Sequence, residues 1–382
     1  MTSSLQLGMH WFPERPGGLD RVYYELSRAL PEAGVAFSGL VAGTGRCDGE
    51  SGGAITAFAG ADAPLLKRWG GMRRAFGQAV LRHKPDLIVS HFALYTLPVL
   101  DLIKHRPLVV HFQGPWADEG AVEGHSGVRH AAKRAVERLV YRRGARAIVL
   151  SSAFAKLLAE RYRFPAERIS VIPGGIDVAR FAVAATRAQA REKFGLAADR
   201  PILVAVRRLV PRMGLENLIA AIGALRPAVP DILLLIAGRG ILQPELAAQI
   251  EAAGLADHVK LLGFVADDDL PLLYRAADVS VVPSVALEGF GLIAAESLAA
   301  GTPCLVTPVG GLPEIVTGLC ADLVLADTTV GTLADGLKAT LRGGLKLPDE
   351  ESCRAYAAGN FSWRLIASRT ARIYRDALGS AQ

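Results

Sequence analysis

The chain has 382 residues, of which 51% are hydrophobic and 21% are charged. This length exceeds one ordinary core and predicts two domains, and the composition excludes a disordered chain. Residues 1–175 hold 23 Lys and Arg against 15 Asp and Glu, whereas the remainder holds 20 against 22, so the first part favours an anionic partner.

Cysteine usage and the N-terminus bear on the cellular compartment. Cys47, Cys304, Cys320 and Cys353 are widely dispersed, which predicts a reducing compartment and argues against disulfides or a zinc site. The first residues lack a basic region followed by a long apolar run, and no apolar run has the length of a membrane span. We therefore expect a cytoplasmic protein.

Apolar runs alternate with helical patterns along the whole chain. In the first part, predicted strands begin at Leu5, Asp86, Pro107, Arg146 and Ile169, and helical patterns include residues 20–30 and 128–143. A second series of strands begins at Pro201, Asp231, His258, Asp278 and Thr302. The strands are nearly continuous β-branched runs, which is typical of parallel strands buried on both faces.

These patterns predict an α/β protein with two tandem Rossmann-like, doubly wound domains facing a cleft. The Pro- and Gly-rich segment at residues 173–181 marks the joint. The predicted domains are residues 1–175 and residues 176–360. Residues 361–382 are predicted to form a C-terminal helix that packs back on the N-terminal domain. Ligands bind at the carboxyl ends of parallel strands, so we expect the site there.

The stretch EGFGLIAAE at residues 288–296 follows one of these strands and leads into a helix. Gly289 and Gly291 precede the helix start, where free backbone N–H groups favour a phosphate. Glu288 and Glu296 cannot bind phosphate, but their carboxylates accept hydrogen bonds from hydroxyl groups. The combination indicates a site for a nucleoside diphosphate sugar.

Glu288, seven residues and Glu296 resemble the E-x7-E motif of the retaining glycosyltransferases of family four, which have the GT-B fold. The resemblance covers nearly the whole chain. It includes the Gly-rich loop and helix at residues 13–30, the histidine at His111, the interdomain segment at 172–181, the loop at 207–219 and the stretch at 299–316.

The resemblance implies that the first domain binds the acceptor and the second binds the nucleotide sugar, and it implies roles for individual residues. Glu288 would contact sugar hydroxyls, Glu296 would bind the ribose, and the backbone at Phe290, Gly291 and Leu292 would face the sugar and diphosphate. The implied catalytic residues are His111, Arg208 and Glu288. The implied donor-binding residues are Gly17, Gly18, Arg208, Arg212, Gly263, Phe264, Glu288, Gly289, Phe290, Gly291, Leu292 and Glu296. Asp20, His91 and Trp116 are assigned to the acceptor side; a helix cap for Asp20 and core packing for Trp116 are the alternatives.

The loop VRRLVPRMG departs from the family pattern. Arg208 matches the family's phosphate-binding arginine, but Met213 stands where the family has a lysine. We expect Arg212 to supply the second cation, with Arg207, at the usual glycine position, as the other candidate. A solvated loop charge is the alternative for Arg212.

No residue spacing predicts a metal site or a cofactor other than the donor. The aspartates at 267–269 precede a helical pattern and are interpreted as a helix cap. The expected reaction is transfer of a hexosyl group from a UDP- or GDP-linked sugar to a hydroxyl of a glycan or lipid-linked acceptor, in cell-envelope or exopolysaccharide synthesis. The alternatives are a non-catalytic nucleotide-sugar-binding homologue and a nucleotide-sugar 2-epimerase.

The helical pattern at residues 128–143 carries regularly spaced cations. Arg134, Arg138 and Arg142 recur every four residues and share a face, with Arg129 and Lys133 beside it. This pattern favours peripheral contact with an anionic membrane, on the inner face of the cytoplasmic membrane. A merely solvated helix face is the alternative, and no nucleic-acid-binding module is recognised.

Overall fold

The structure is a computed structural model that describes residues 1–15, 17–118 and 127–379. The chain divides into two compact units. Unit 1 comprises Met1–Gly175 together with Trp363–Gln382, and unit 2 comprises Ile176–Ser362. Unit 2 ends at Ser362, two residues later than the boundary predicted at residue 360, because Phe361 and Ser362 still belong to unit 2.

Unit 1 is built on a parallel sheet with the order β3-β2-β1-β4-β5-β6-β7. The strands are β1 (Thr2–His10), β2 (Val35–Ala42), β3 (Ile55–Ala59), β4 (Leu87–Ser90), β5 (Leu108–Phe112), β6 (Gly144–Val149) and β7 (Ile169–Val171). Strands β2 and β3 are additional to those predicted from the sequence. Ser38 and Gly39 interrupt the apolar run of β2, and β3 is short and follows glycines.

Helices cover both faces of this sheet, as buried parallel strands require. They are α1 (Gly18–Ala29), α2 (Arg46–Glu50), α3 (Leu65–His83), α4 (Ala93–Thr96), α5 (Leu100–Ile103), α6 (Val128–Tyr141) and α7 (Ser152–Tyr162). One core contains side chains of α3, α6 and α7, including Phe76, Val140 and Leu158. The core on the other face contains Tyr23 and Leu26 of α1.

Unit 2 has a parallel sheet with the order β10-β9-β8-β11-β12. Its strands are β8 (Ile202–Val206), β9 (Leu233–Ala237), β10 (Val259–Gly263), β11 (Val279–Val282) and β12 (Cys304–Val306). Its helices are α8 (Val178–Phe181), α9 (Arg187–Lys193), α10 (Leu215–Leu225), α11 (Gln243–Ala252), α12 (Leu270–Ala276), α13 (Leu292–Ala299), α14 (Leu312–Val316), α15 (Val330–Leu341) and α16 (Glu350–Phe361).

The last helix, α17 (Trp363–Gly379), returns to unit 1. It packs on α1 and beside β5 and β6, and it buries Ile366, Ala371 and Tyr374 in the second core of that unit. A Cβ on Gly175 would lie 2.5 Å from the Trp363 ring, so only glycine fits where the helix begins its packing.

These observations confirm the predicted fold class: two parallel-sheet α/β domains in tandem with a C-terminal helix on the N-terminal one. Within the described residues, we find no helix with the length and apolar character needed to span a bilayer.

Candidate functional site

Two loops of unit 2 leave the sheet where its strand order reverses. Strand β8 lies between β9 and β11. The connection from β8 to β9 and the connection that leads to β11 therefore run to opposite sides of β8. Parallel sheets bind ligands at such a switch point. The β8 loop begins at Arg207, and the β11 loop runs from Pro283 to α13. The loops approach closely: a Cβ on Gly214, whose φ is +68°, would lie 2.0 Å from the carbonyl oxygen of Pro283.

Glu288 lies in a buried charged cluster at this point. Its Oε2 is 2.5 Å from Nη2 of Arg207 and accepts a hydrogen bond of 2.9 Å from Ser284 Oγ. Arg207 also donates to Ser284 and contacts Met213 Sδ at 2.6 Å through the same nitrogen. Burial acts to raise the pKa of Glu288, but the Arg207 charge and these hydrogen bonds outweigh it and hold the pKa below its usual value. The carboxylate therefore stays ionised.

The backbone around Glu288 is tightly held. Leu287 has a φ of +49°, which is unfavourable for a residue with a side chain, and its carbonyl accepts a 2.9 Å hydrogen bond from Arg212 Nη1. The Glu288 carbonyl accepts from Gly311 N at 3.0 Å. A Cβ on Gly310 would lie 1.8 Å from that same oxygen. Arg212 thus holds the loop that presents Glu288 and is itself buried, unlike a solvated loop charge.

Glu296 lies on α13, and its carboxylate is also buried. The residue is 4% exposed, and Tyr274 donates a 3.4 Å hydrogen bond to its Oε2. Burial raises the pKa of Tyr274 well above its usual value, so the phenol is a neutral donor. This burial excludes a merely solvated helix charge at Glu296.

The N-terminus of α13 lies between the two glutamates. Gly291 is the residue before the helix and has a φ of +88°, and a Cβ there would lie 2.4 Å from Leu312 Cδ2. Phe290 buries its ring against Phe361, with centroids 5.5 Å apart, whereas Gly289 and Leu292 are partly exposed. The segment can therefore offer backbone N–H groups but few side chains.

Three other residues assigned to the donor lie at the carboxyl ends of β8 and β10, on either side of β9. Arg208 is exposed, directly after Arg207. Gly263 ends β10 with a φ of +67°, and Phe264 is 64% exposed, with the Arg239 guanidinium 5.4 Å from its ring centroid. The structure brings Glu288 close to Arg207, Ser284 and Met213. Arg207 was only a secondary candidate, and nothing in the sequence pointed to Ser284.

The histidines of unit 1 form a neutral, buried network. His91, directly after β4, and His111, in β5, stack with ring centroids 4.4 Å apart. His91 Nε2 lies 2.8 Å from Gln6 Oε1, and His111 Nε2 lies 2.9 Å from the hydroxyl of Tyr374 on α17. Burial lowers the pKa of His111 to about 3 and the pKa of His91 well below its usual value, so both imidazoles are neutral.

The start of α1 shows where Gly17, Gly18 and Asp20 lie. Gly17, in extended conformation, precedes α1, which begins at Gly18. Asp20 is not the cap: it is 3% exposed, and its Oδ1 accepts a 2.9 Å hydrogen bond from the backbone N–H of His10 at the end of β1. The capping alternative for Asp20 is therefore wrong, because the carboxylate ties the helix to the strand end.

The aspartates before α12 also differ from the sequence interpretation. Asp269 precedes the helix but makes no side-chain capping bond. It pairs with Lys193, and Asp267 lies 3.6 Å from Arg180. The cap interpretation is wrong, because these carboxylates interact with Lys193 and Arg180 and not with the backbone N–H groups at the start of α12. Across the described ranges, no three His, Cys, Asp or Glu side chains gather as a metal site requires.

The basic helix α6 is only partly a free surface. Arg129, Arg138 and Arg142 are exposed, but Arg134 and Lys133 are half-buried. Lys133 Nζ lies 4.7 Å from the ring centroid of Trp116, whose other contacts include Phe92 in the core. A cavity of about 510 Å³ opens beside this helix and is lined by Arg134, Arg138, Ala153, Lys156, Leu157, Glu160, Arg161 and Arg163.

Comparison with known proteins identifies the family. The model described as "Glycosyltransferase Family 4" matches residues 16–180, and that described as "Glycosyl transferases group 1" matches residues 186–359. The chain is 35% identical over 326 residues to the D-inositol 3-phosphate glycosyltransferase of Salinispora arenicola, covering 77% of this chain and 69% of that protein. It is 30% identical over 403 residues to the glycogen synthase of Mycobacterium tuberculosis, covering 97% and 94%.

The structural comparison supports the same fold. Sucrose-phosphate synthase from Thermosynechococcus elongatus superposes over 100% of both chains with a TM-score of 0.81 at 23% identity, a likeness that shows the fold alone. Together with the family models and the relatives, it establishes that this chain belongs to glycosyltransferase family four and has the GT-B fold.

Proposed function

We propose that the protein transfers a hexosyl group from a nucleoside diphosphate sugar to a hydroxyl of a glycan or lipid-linked acceptor in envelope or exopolysaccharide synthesis. One observation carries the donor assignment: two carboxylates, the 13%-exposed Glu288 and the buried Glu296, flank the N-terminus of α13 beside the switch point of unit 2. Carboxylates select hydroxyl groups, whereas the helix N-terminus and neighbouring arginines select phosphate. This combination suits a sugar and a ribose joined by a diphosphate.

The proposed mechanism follows from where the charges lie. Arg208 and the α13 N-terminus stabilise the departing diphosphate, so leaving-group departure needs no metal. The Glu288 carboxylate is already committed to Arg207 and Ser284, which favours a positioning role over attack on the sugar. The departing phosphate itself takes the proton of the acceptor hydroxyl on the same face, and this path retains the anomeric configuration.

Acceptor contacts are assigned to unit 1. His111 has Nε2 engaged by Tyr374, so Nδ1 is the ring atom proposed to contact the transferred sugar. His91, Trp116 and Asp20 remain assigned to the acceptor side, and Gly17 and Gly18 are assigned to backbone contact with the diphosphate. Neutral imidazoles suit hydroxyl groups, because they exchange hydrogen bonds without adding charge.

Binding without metal tests the donor assignment. Calorimetric titration with UDP, GDP, ADP and their hexose derivatives, in the presence of a chelator, should select one nucleotide. At a hundred times its dissociation constant this ligand should add about 2.7 kcal/mol to the unfolding free energy. Glu296→Gln should abolish binding, and Glu251→Gln, an exposed change in the same unit, should not. If no nucleotide binds, the proposal is wrong.

Turnover distinguishes the remaining alternatives. If nucleotide sugar binds but no acceptor is glycosylated, and Met213→Lys creates activity, the chain is a disabled binder. If the sugar is inverted at C2 without an acceptor, the protein is an epimerase. Transfer by the unaltered chain to a lipid-linked sugar supports the proposal.

We also propose peripheral contact with anionic membrane through Arg129, Lys133, Arg134 and Arg138 of α6 and through Arg142, which directly follows the helix. The exposed cations and the cavity beside them fit lipid phosphate groups. The free cysteines fit a cytoplasmic location at the inner face.

Vesicle sedimentation tests the membrane contact. Phosphatidylglycerol vesicles should retain the protein, and phosphatidylcholine vesicles should not. The Arg138→Gln/Arg142→Gln variant should lose binding, whereas Arg372→Gln/Arg375→Gln, two exposed arginines on α17, should keep it. Equal binding by both variants would contradict the contact.

A further inference from the structure

Two departures from the family pattern meet in space. Arg207 stands where the resemblance expects glycine, and Met213 stands where it expects lysine. Arg207 Nη2 lies 2.6 Å from Met213 Sδ. Methionine and lysine side chains run along similar paths, so a lysine at 213 would place its ammonium close to where the Arg207 guanidinium lies.

The guanidinium has hydrogen-bonding capacity that the described residues leave unused. Arg207 is 8% exposed, and its Nε is buried with no hydrogen-bond partner in the described part of the chain. The recorded contacts, to Glu288, Ser284 and Met213, all use Nη2. Burying a charged donor without a partner costs free energy, so the remaining N–H groups are suited to an anionic ligand.

The other candidate for the second cation has a different task. Arg212 directs Nη1 to the carbonyl of Leu287, in the strained turn before Glu288. Drawing Nη1 away from Leu287 would release that turn, and the guanidinium in contact with Met213 Sδ is that of Arg207. Arg207 instead can bind a phosphate through free N–H groups while Nη2 stays on Glu288, because a guanidinium donates from three nitrogens.

We propose that Arg207 is the second diphosphate-binding cation of the donor site, in place of a lysine at position 213, and that it holds Glu288 ready for the sugar. The inference rests on the proposed function and deepens it. It assigns one residue to two tasks that a lysine, with a single nitrogen, performs less well. The arginine at position 207, where the family has glycine, then compensates for the methionine at position 213, where the family has lysine.

A four-protein cycle tests the exchange: the unaltered chain, Arg207→Gly, Met213→Lys and the double variant. Calorimetry measures binding of UDP, GDP and ADP and of the three matching monophosphates. Arg207→Gly should weaken diphosphate binding about tenfold or more, as expected for a lost charge-assisted contact, and should change monophosphate binding much less. Met213→Lys alone should also weaken binding, because it crowds two cations. The double variant should recover diphosphate binding to within about threefold.

The outcomes separate the inference from the proposed function. If the unaltered chain binds no nucleotide, the proposed function fails and the inference falls with it. If it binds but Arg207→Gly leaves diphosphate affinity unchanged, or the folded double variant stays as weak as Arg207→Gly, the inference alone is overturned. Thermal melts check folding. Should Arg207→Gly not fold, the ratio of diphosphate to monophosphate affinity in the double variant decides, and it must match that of the unaltered chain.

Discussion

Each unit has a group of polar side chains near the carboxyl ends of its strands, and this group is neutral in unit 1 and charged in unit 2. In unit 1, His91, His111 and Tyr374 form a stacked, hydrogen-bonded group whose imidazoles burial keeps neutral. In unit 2, Arg207 and Glu288 form an ion pair that burial does not discharge. A neutral network can exchange hydrogen bonds with hydroxyl groups, whereas a charged one can stabilise a diphosphate. In the function that we propose, this contrast divides acceptor binding and donor binding between the two units.

The largest expected effect comes from breaking the ion pair of unit 2. Glu288→Ala leaves the Arg207 charge buried without its carboxylate and should lower the unfolding free energy by about 3–5 kcal/mol. Urea denaturation measures the loss. Glu288→Gln, which keeps a hydrogen-bond acceptor, should lose less. A loss below about 1 kcal/mol for the alanine variant would mean that the pair is solvated, and the comparison of the units would fail.

The second largest effect is expected from acidification, which should lower the unfolding free energy through His111 in unit 1. The folded-state pKa of His111 is about 3, below the value of 6.5 for an unfolded histidine. The unfolded chain therefore binds the proton first, so the histidine's contribution is full above pH 6.5 and is lost as pH falls toward 3. Between pH 7 and pH 5 the expected loss is about 2 kcal/mol.

A variant isolates this contribution, because other groups titrate in the same range. Burial raises the pKa of Glu137, on α6, to about 7, and this group acts in the opposite direction as pH falls. The measured quantity is therefore the difference in unfolding free energy between the unaltered chain and His111→Gln. It should shrink by about 2 kcal/mol from pH 7 to pH 5. A difference independent of pH would show that His111 has the same pKa in the folded and unfolded states, as a solvated imidazole does.

A smaller effect is expected from the C-terminal helix. Tyr374→Phe removes the hydroxyl 2.9 Å from His111 Nε2 and should lower the unfolding free energy by about 1–2 kcal/mol, because a buried imidazole nitrogen loses its partner. Nucleotide binding in unit 2 should not change. Denaturation and calorimetry on the same preparation measure both. A loss of nucleotide affinity would contradict the separation of the two networks.

The smallest effect is expected at Phe264, which directly follows β10 in unit 2 and is 64% exposed. Phe264→Ala should change stability by less than about 0.5 kcal/mol, because an exposed ring buries little surface. Nucleotide affinity should stay within about threefold if the backbone contacts the base, as the family resemblance implies. A tenfold loss of affinity at unchanged stability would assign the ring itself to the base.

Most of the strands were predictable, because apolar runs of three to nine residues between Gly and Pro signals define buried parallel strands with little help from context. Strands β2 and β3 were not, since their apolar runs are broken or short. The carboxylates Glu288 and Glu296 were also predictable, from their spacing around glycines in an apolar stretch. Ser284 was not, because nothing in its local sequence separates it from any other loop serine.

Sequence alone determined the two-domain α/β architecture, the family and the positions of the two carboxylates, since all three depend on local patterns and spacing. Only the tertiary structure decided which cation pairs with Glu288. Arg207, Arg208 and Arg212 are chemically equivalent along the chain, and the packing of the β8 loop against the β11 loop places Arg207 on the carboxylate and Arg212 on the Leu287 carbonyl. Similarly, the sequence pattern allowed Asp20 to be a helix cap, yet the residue lies within the first turn of α1 and its carboxylate accepts a hydrogen bond from the backbone N–H of His10 at the end of β1. Hydrogen bonds between distant segments depend on packing, and a pattern within one segment does not encode it.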